Sequence, residues 1–304
     1  MKELRRLKSI TEFHRARGLQ TPEHPLISVV NYASVILSPE NNNINWVLDF
    51  YSISLKKNLA VKIKYGQQKY DFDEGVMFFI APGQVFSIEV PQEGERNKSG
   101  WMLLIHPDFL WNTHLAKTIK QYAFFGYAIN EALFLSEREE ARTNNIIDTI
   151  RQEYYTNIDE FSQKIIISHI EALLNYADRF YHRQFITRKI SNHQILERLE
   201  QLLDFCFESE TLATNGIPSV QFISEKLNIS PNYLSNLLKA LTGQSTQHHI
   251  QNKLIDIAKG KLSTTHLTVN EIAYELGFEH PQSFRKLFKS QTKMSPLEFR
   301  QSFS

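Results

Sequence analysis

Two short stretches of this 304-residue chain carry side chains suited to the same chemistry, and they lie about 49 residues apart. In the later stretch, Gln282, Ser283 and Lys286 share one side of a helical pattern, with Arg285 and Lys289 beside it. In the earlier one, Asn232, Ser235 and Asn236 share a face that continues to Lys239. Amides and hydroxyls offer the donor and acceptor pairs that match base edges in a DNA major groove, whereas Arg and Lys hold phosphates. The side-chain chemistry and helical phase assign base reading to Asn232, Ser235, Asn236, Gln282, Ser283 and Lys286. They assign phosphate holding to Lys239, Arg285 and Lys289. The first face has only Lys239 as a cation, so it is expected to add less electrostatic affinity than the second.

Other chemistries find no comparable pattern. The chain has no Ser-His-Asp elbow, no glycine-rich phosphate loop and no paired-carboxylate motif, so no catalytic residue is assigned and an enzyme is not expected. His-x-His occurs nowhere. Histidine is the usual ligand of first-row metals, so neither a metal nor a cofactor is expected. His248 and His249 are neighbours on a helix and face different ways. Cys206, the single cysteine, falls on an apolar helical face with Ile195, Leu199 and Leu202 and reads as a small core residue.

The elements that must position the two faces repeat as well. Before the second face, Asn270 to Leu276 reads as a short helix, with Ala273 small where two helices approach closely. Gly277 then supplies the positive φ that ends it, and Pro281 suits the first turn of the next helix. Phe284, Leu287 and Phe288 form the apolar side of that helix. In the first copy, Ser224 stands for Ala273 and Asn228 for Gly277, and Asn tolerates left-handed backbone better than most residues. Ser230 and Pro231 are an N-cap followed by proline at the first helical position, and Leu234, Leu237 and Leu238 repeat the apolar face. Between the copies, a helical pattern from about Ser245 to Leu262 carries Ile250, Leu254, Ile257 and Ala258 on one side. At 1.5 Å per residue it is a rod of roughly 26 Å. Such a rod could set two reading helices near one turn of DNA apart, about 34 Å.

The first hundred residues read instead as short strands between turns, the pattern of a sandwich or barrel. The apolar stretches are Ile27–Val30, Asn45–Leu55, Leu59–Tyr65, Val76–Ile80, Val85–Val90 and Trp101–Ile105. Ser136 and Glu139 form a capping box that predicts a helix to about Tyr155. A second helix from near Asp159 places Ile166, Ile170, Leu173, Ala177 and Phe180 along one seam. That seam has two readings: packing on the chain's own barrel, or a dimer interface. The polar, basic stretch Thr187–Asn192 is read as a linker before a third helix, roughly Asn192 to Phe207.

The duplicated pattern, together with Gly243-Gln244-Ser245, Lys253-Leu254, Ala258, Leu262, Leu276-Gly277-Phe278, Phe288-Lys289, Ser295-Pro296 and Phe299-Arg300, resembles the signature of the AraC/XylS family of bacterial transcription regulators. The resemblance covers about 110 residues. Three positions depart from it: Thr246 where proline is frequent, Lys253 where arginine is usual, and Lys293 where glycine is usual, which bears on the geometry of that last turn. The resemblance implies an α+β chain with an N-terminal cupin-like β-barrel and dimerisation helices, followed by an all-α tandem helix-turn-helix domain. The organisation expected is a sensor domain at 1–106, a helical dimerisation and linker region at 107–190, and a DNA-binding domain at 191–304 with helix-turn-helix units at 218–241 and 268–291. Phe86 lies near where a metal-binding cupin would place its last histidine. The partners implied are double-stranded DNA, a second copy of the chain, a small-molecule effector and RNA polymerase. The sequence leaves open whether an effector exists and whether the outcome is activation or repression.

Composition agrees with this frame. Hydrophobic residues make up 42% and charged residues 22%, with 21 Phe, which is ordinary for a globular protein with a sizeable core. Net charge is only +1, but residues 211–304 hold 10 Lys+Arg against 6 Asp+Glu, leaving 24 against 27 in the rest. A mildly acidic front and a basic tail suit a sensor joined to a polyanion binder. Met1 to Arg6 is charged with no apolar run behind it, no stretch approaches the ~20 apolar residues of a membrane span, and one cysteine fits a reducing compartment. A cytoplasmic protein without a membrane partner is expected. Two other classes remain: an enzyme with a DNA anchor, and an architectural DNA-binding protein without sequence preference or ligand response. The enzyme lacks a catalytic motif to support it, and Asn, Gln and Ser on the outward faces favour base readout over an architectural protein that binds by charge alone.

Overall fold

The computed structural model describes residues 3–37, 44–57, 75–87, 98–156, 160–208, 212 and 216–303. They form two compact units, Met1–Gln184 and Phe185–Ser304. The first unit is α+β and the second is helical.

Two sheets build the first unit. One has the order β1 (Glu3–Leu7), β3 (Ile44–Leu48), β6 (Val85–Ser87), with β1 parallel and β6 antiparallel to β3. The other runs β2 (Ile27–Asn31), β7 (Ser99–Ile105), β4 (Tyr51–Lys57), β5 (Val76–Ile80), β8 (Leu133–Phe134), antiparallel throughout. Their inner faces share one core, to which Leu7, Trp46, Leu48 and Phe86 come from the first sheet and Val30, Met102 and Leu104 from the second. Among the described residues no strand pairing joins the two sheets, so the expected barrel is open there. The apolar stretch 45–55 is two strands, because the chain bends at Asp49 and Phe50. β1 and helix α1 (Ile10–Ala16) lie where no element was expected. The expected strand Leu59–Tyr65 and residues 88–90 lie outside the described residues.

After a short helix α2 (His114–Thr118) come two long ones, α3 (Glu137–Tyr154) and α4 (Glu160–Thr187). The backbone N–H of Ser136 donates to Glu139 Oε2 at 2.9 Å, closing the start of α3 as its sequence predicts. The start anticipated near Asp159 lies outside the described residues, one position before α4. The end of α4 is tied to β8. Arg183 donates to both carboxylate oxygens of Glu139, at 3.1 and 2.6 Å, and to Phe134 O at 2.7 Å. The buried Gln184 amide accepts from Phe134 N at 2.9 Å and donates to Ala132 O at 3.2 Å.

This anchoring decides between the two readings of the α4 seam. Ile166, Ile170, Leu173 and Ala177 are each 0% exposed within a single chain, and Phe180 is 6% exposed. The seam is core of this unit, so it is not a surface on which a second copy could dock. The expected linker at 187–192 is also corrected. Helix α5 (Lys189–Cys206) begins one residue after α4 ends, leaving only Arg188 between them. On α5 the buried side holds Ile195, Leu199, Leu203 and Cys206, with Leu203 in the place anticipated for Leu202. Burial pushes the Cys206 thiol up. Among the described residues no helix is long and apolar enough to cross a membrane.

Leu173→Asp puts a carboxylate into this core, and deleting such a side chain alone costs about 2–5 kcal/mol. The expected result is loss of the near-UV circular dichroism of the first unit and of its melting transition. A folded variant that merely changes its sedimentation from dimer to monomer would contradict the assignment.

Candidate nucleic-acid interface

The second copy of the repeated pattern is α9 (Val269–Glu275) followed by α10 (Pro281–Thr292). Thr268 caps α9. Its hydroxyl accepts from Glu271 N at 3.2 Å, and its own N–H donates to Glu271 Oε2 at 2.6 Å. That backbone bond, seconded by the threonine hydroxyl, holds the Glu271 carboxyl below the usual carboxylate range. At the other end Gly277 takes φ +79°. Gly277 N donates to Tyr274 O at 2.9 Å and Phe278 N to Ala273 O at 3.0 Å, which turns the chain sharply. A Cβ at 277 would stand 3.1 Å from Gly216 Cα and 3.2 Å from Ile217 N, so close approach reinforces the dihedral requirement for glycine. Pro281 then opens α10, whose Phe284 and Phe288 are fully buried against the rings of Phe278 and Phe299.

The first copy, α6 (Val220–Leu227) and α7 (Pro231–Thr242), repeats this with different residues. Asn228 takes φ +57°, Asn228 N donates to Glu225 O at 3.1 Å, and Ile229 N to Ser224 O at 3.0 Å. Ser230 caps α7 by accepting from Tyr233 N at 3.3 Å, with Pro231 at the first helical position. Leu234, Leu237 and Leu238 are fully buried, and so is Tyr233, which sequence reading missed. Its ring meets Phe185 edge-on at 5.0 Å. The buried Ser224 hydroxyl has no hydrogen-bond partner, whereas Ala273, its counterpart, has none to satisfy.

Helix α8 (Thr246–Thr264) joins the copies, packing on α7 and on α9, α10 and the terminal helix α11 (Pro296–Gln301). Ile250, Leu254, Ile255, Ala258 and Leu262 are its buried face, with Ile255 rather than Ile257 inside. Thr246, where the AraC/XylS signature often has proline, is fully buried with its hydroxyl unpartnered. Lys253, which replaces the usual arginine, forms an ion pair with Asp204 of α5. Arg300 fixes α11 by donating to Leu262 O at 3.2 Å and Leu267 O at 2.6 Å.

On α10 the opposite side presents Gln282, Ser283, Arg285, Lys286 and Lys289, all exposed. Arg285 is steadied by donating to Asn270 Oδ1 at 2.9 Å, across the turn from α9. On α7, Asn232 and Lys239 are exposed, while Ser235 and Asn236 are half-buried. The first face is therefore the narrower as well as the less charged. His248 is exposed and meets Ser245 Oγ at 2.8 Å; His249 is half-buried beside Thr242 Oγ1 at 2.9 Å, and burial pushes its pKa down. Among the described residues no group of three or more His, Cys, Asp and Glu lies close enough to hold a metal ion.

Residues 223–302 match the family model described as a helix-turn-helix domain. The chain is 28% identical over 140 residues to an HTH-type transcriptional regulator of Staphylococcus aureus strain MSSA476, covering 45% of this chain and 17% of that protein. It thus spans about a sixth of the length of that curated relative. Among solved structures, the C-terminal domain of the two-component response regulator yesN from Fusobacterium nucleatum is 32% identical, covering 33% of this chain and 96% of that one, with a TM-score of 0.29. ToxT from Vibrio cholerae O395 is 14% identical, covering 91% of this chain and 97% of that one, with a TM-score of 0.31.

The final turn bears on the departure at Lys293. The lysine adopts φ +66° after α10, the same left-handed conformation that Gly243 takes after α7 at +75°. The turn is thus kept, with a side chain in a region that costs a non-glycine residue about 1 kcal/mol or more. Lys293→Gly is expected to raise the stability of the second unit by about 0.5–1 kcal/mol, read as a higher urea midpoint at unchanged slope. A lower midpoint would show that the lysine side chain stabilises the turn by other means.

Proposed function

We propose, on the premise that residues 223–302 form a helix-turn-helix domain of the AraC type, that this chain is a sequence-specific DNA-binding transcription regulator. The observation that carries the proposal is the duplication itself. Two 12-residue helices, α7 and α10, each open on proline and end on a left-handed residue, and each follows a short helix that also ends in left-handed backbone or is turned by it. One 19-residue helix, α8, connects them. Its length of roughly 28 Å is close to the ~34 Å that separates successive major-groove faces on one side of DNA. In this reading Gln282, Ser283 and Lys286 of α10 and Asn232, Ser235 and Asn236 of α7 meet base edges. Arg285, Lys289 and Lys239 hold phosphates.

The unit Met1–Gln184 supplies modulation, either by taking up a small molecule or through a dimer contact. Any such contact lies elsewhere than the α4 seam, which is buried within the chain. A contact with RNA polymerase belongs to the same reading of a regulator, and no catalytic step does.

Selection of binding sites from a random DNA pool, followed by footprinting, tests the proposal. Two protected segments centred about 10 base pairs apart on one face are expected. Affinity should fall steeply with salt as phosphate contacts release counterions. Uniform protection without a preferred sequence would support an architectural DNA-binding protein instead, and binding independent of salt would count against both.

The division of labour on α10 gives a sharper expectation. Gln282→Ala should cost about 1–3 kcal/mol on the selected site and relax preference at one position. Lys289→Ala should weaken all sequences evenly and reduce the salt slope by about one. An unchanged motif for the first variant and an altered one for the second would reverse the two roles.

A further inference from the structure

Several cations of the second unit are matched with carboxylates. Lys253 of α8 pairs with Asp204 of α5, Lys261 with Glu275 Oε2 at 2.7 Å, and Lys259 with Asp256 Oδ1 at 3.5 Å. Arg285 is held differently. Its Nη2 donates at 2.9 Å to Asn270 Oδ1, a neutral amide on the second residue of α9, and among the described residues no carboxylate pairs with it. Glu271, next to Asn270, turns its carboxylate back to Thr268 N at 2.6 Å instead.

The kind of acceptor matters. A carboxylate would hold a guanidinium but neutralise it, whereas an amide oxygen holds it and leaves its charge for another anion. A guanidinium carries several N–H donors in a fixed fork, so one given to Asn270 leaves the others for the two-oxygen grip that Arg makes on phosphate. A free arginine side chain is long and mobile, and ordering it on binding opposes association. An arm ordered beforehand avoids that loss. The platform is itself fixed, because Asn270 lies in the first turn of α9, which Thr268 and Glu271 close with reciprocal bonds of 3.2 and 2.6 Å.

Placement agrees with this. At 3.6 residues per turn, Arg285 lies about 60° from Gln282 on the side away from Ser283, so it flanks the polar face of α10. The first copy is built otherwise. At the matching places 49 residues earlier, Gln221 donates to Glu225 Oε1 of its own helix at 2.7 Å, and Asn236 is a half-buried, uncharged amide.

We infer that Asn270 is a positioning residue for DNA binding. It holds the Arg285 guanidinium, still charged, at the edge of α10, where a phosphate strand borders the groove that this helix enters. The inference rests on the proposed DNA-binding function and adds to it a residue outside both reading helices. Asn270 touches no DNA in this account and acts through Arg285.

The test measures binding of the full chain, over a range of salt, to the duplex obtained by selection and to a scrambled duplex of equal length. Asn270→Ala should weaken both duplexes evenly, by about three- to tenfold, with the salt slope unchanged, since the charge remains but is less ordered. Asn270→Asp keeps the acceptor but neutralises the guanidinium, so it should weaken both while lowering the salt slope by about one. An acidic residue suits the first turn of a helix, so this variant keeps the fold. In an Arg285→Ala background, Asn270→Ala should change neither affinity nor slope. In the free chain, the heteronuclear NOE of Arg285 Nε–H should fall in Asn270→Ala and stay high in Asn270→Asp. Three results would overturn the inference: unchanged affinity for Asn270→Ala, a salt slope for Asn270→Asp equal to that of the wild type, or a loss that persists undiminished in the Arg285→Ala background. The last would put Asn270 itself on the DNA or make it a prop of the fold. A wild-type chain that binds neither duplex would instead remove the DNA-binding reading and this inference with it, an outcome distinct from all three.

Discussion

Left-handed backbone at the end of each short helix is the constraint on which the second unit depends. Without it, α6 and α9 would run on, and the helices that follow could not cross back over them. At Gly277 the requirement is double, because the segment Gly216–Ile217 lies where a side chain would project. At Asn228 only the dihedral matters, so a residue that tolerates left-handed backbone suffices. From these two turns follows the placement of Pro231 and Pro281, each at a helix start where a missing N–H costs nothing. The apolar faces inside and the polar faces outside then follow from helical period alone.

The two copies are alike in backbone and unlike in surface. α10 shows three cations, Arg285, Lys286 and Lys289, to solvent beside Gln282 and Ser283. α7 shows one cation, with Ser235 and Asn236 half-covered. Tyr233 accounts for part of the difference in the interior, since the first copy buries a large ring against Phe185 where the second relies on phenylalanines gathered around Phe284 and Phe288. In the proposed regulator such a pair would divide the work: the charged helix would supply most of the sequence-independent attraction, and both would supply groups that distinguish bases.

In the first unit, polar side chains locate apolar ones. Arg183 and Gln184 satisfy backbone groups of the 132–134 segment, and Tyr181 OH donates to Glu131 O at 3.1 Å. These bonds hold α4 with Ile166, Ile170, Leu173 and Ala177 facing inward.

By itself the sequence determined what depends on neighbours in the chain. The duplicated turns, the cap at Ser230, the prolines at helix starts and the apolar stripes of α7 and α10 are all set by local dihedral preference and a 3.6-residue period. The strand Val76–Ile80 was legible for the same reason, being an apolar run between turn residues. Long-range packing decided the rest. A seam of five apolar residues on α4 is the same pattern whether it meets its own sheet or a second copy, and only the folded chain shows it closed. β1 gave no signal because its pairing with β3 joins residues about forty positions apart, with only Leu7 buried. Tyr233 and the half-covered Ser235 and Asn236 could not be read from helical phase, since what covers a helix face is chosen by tertiary contact.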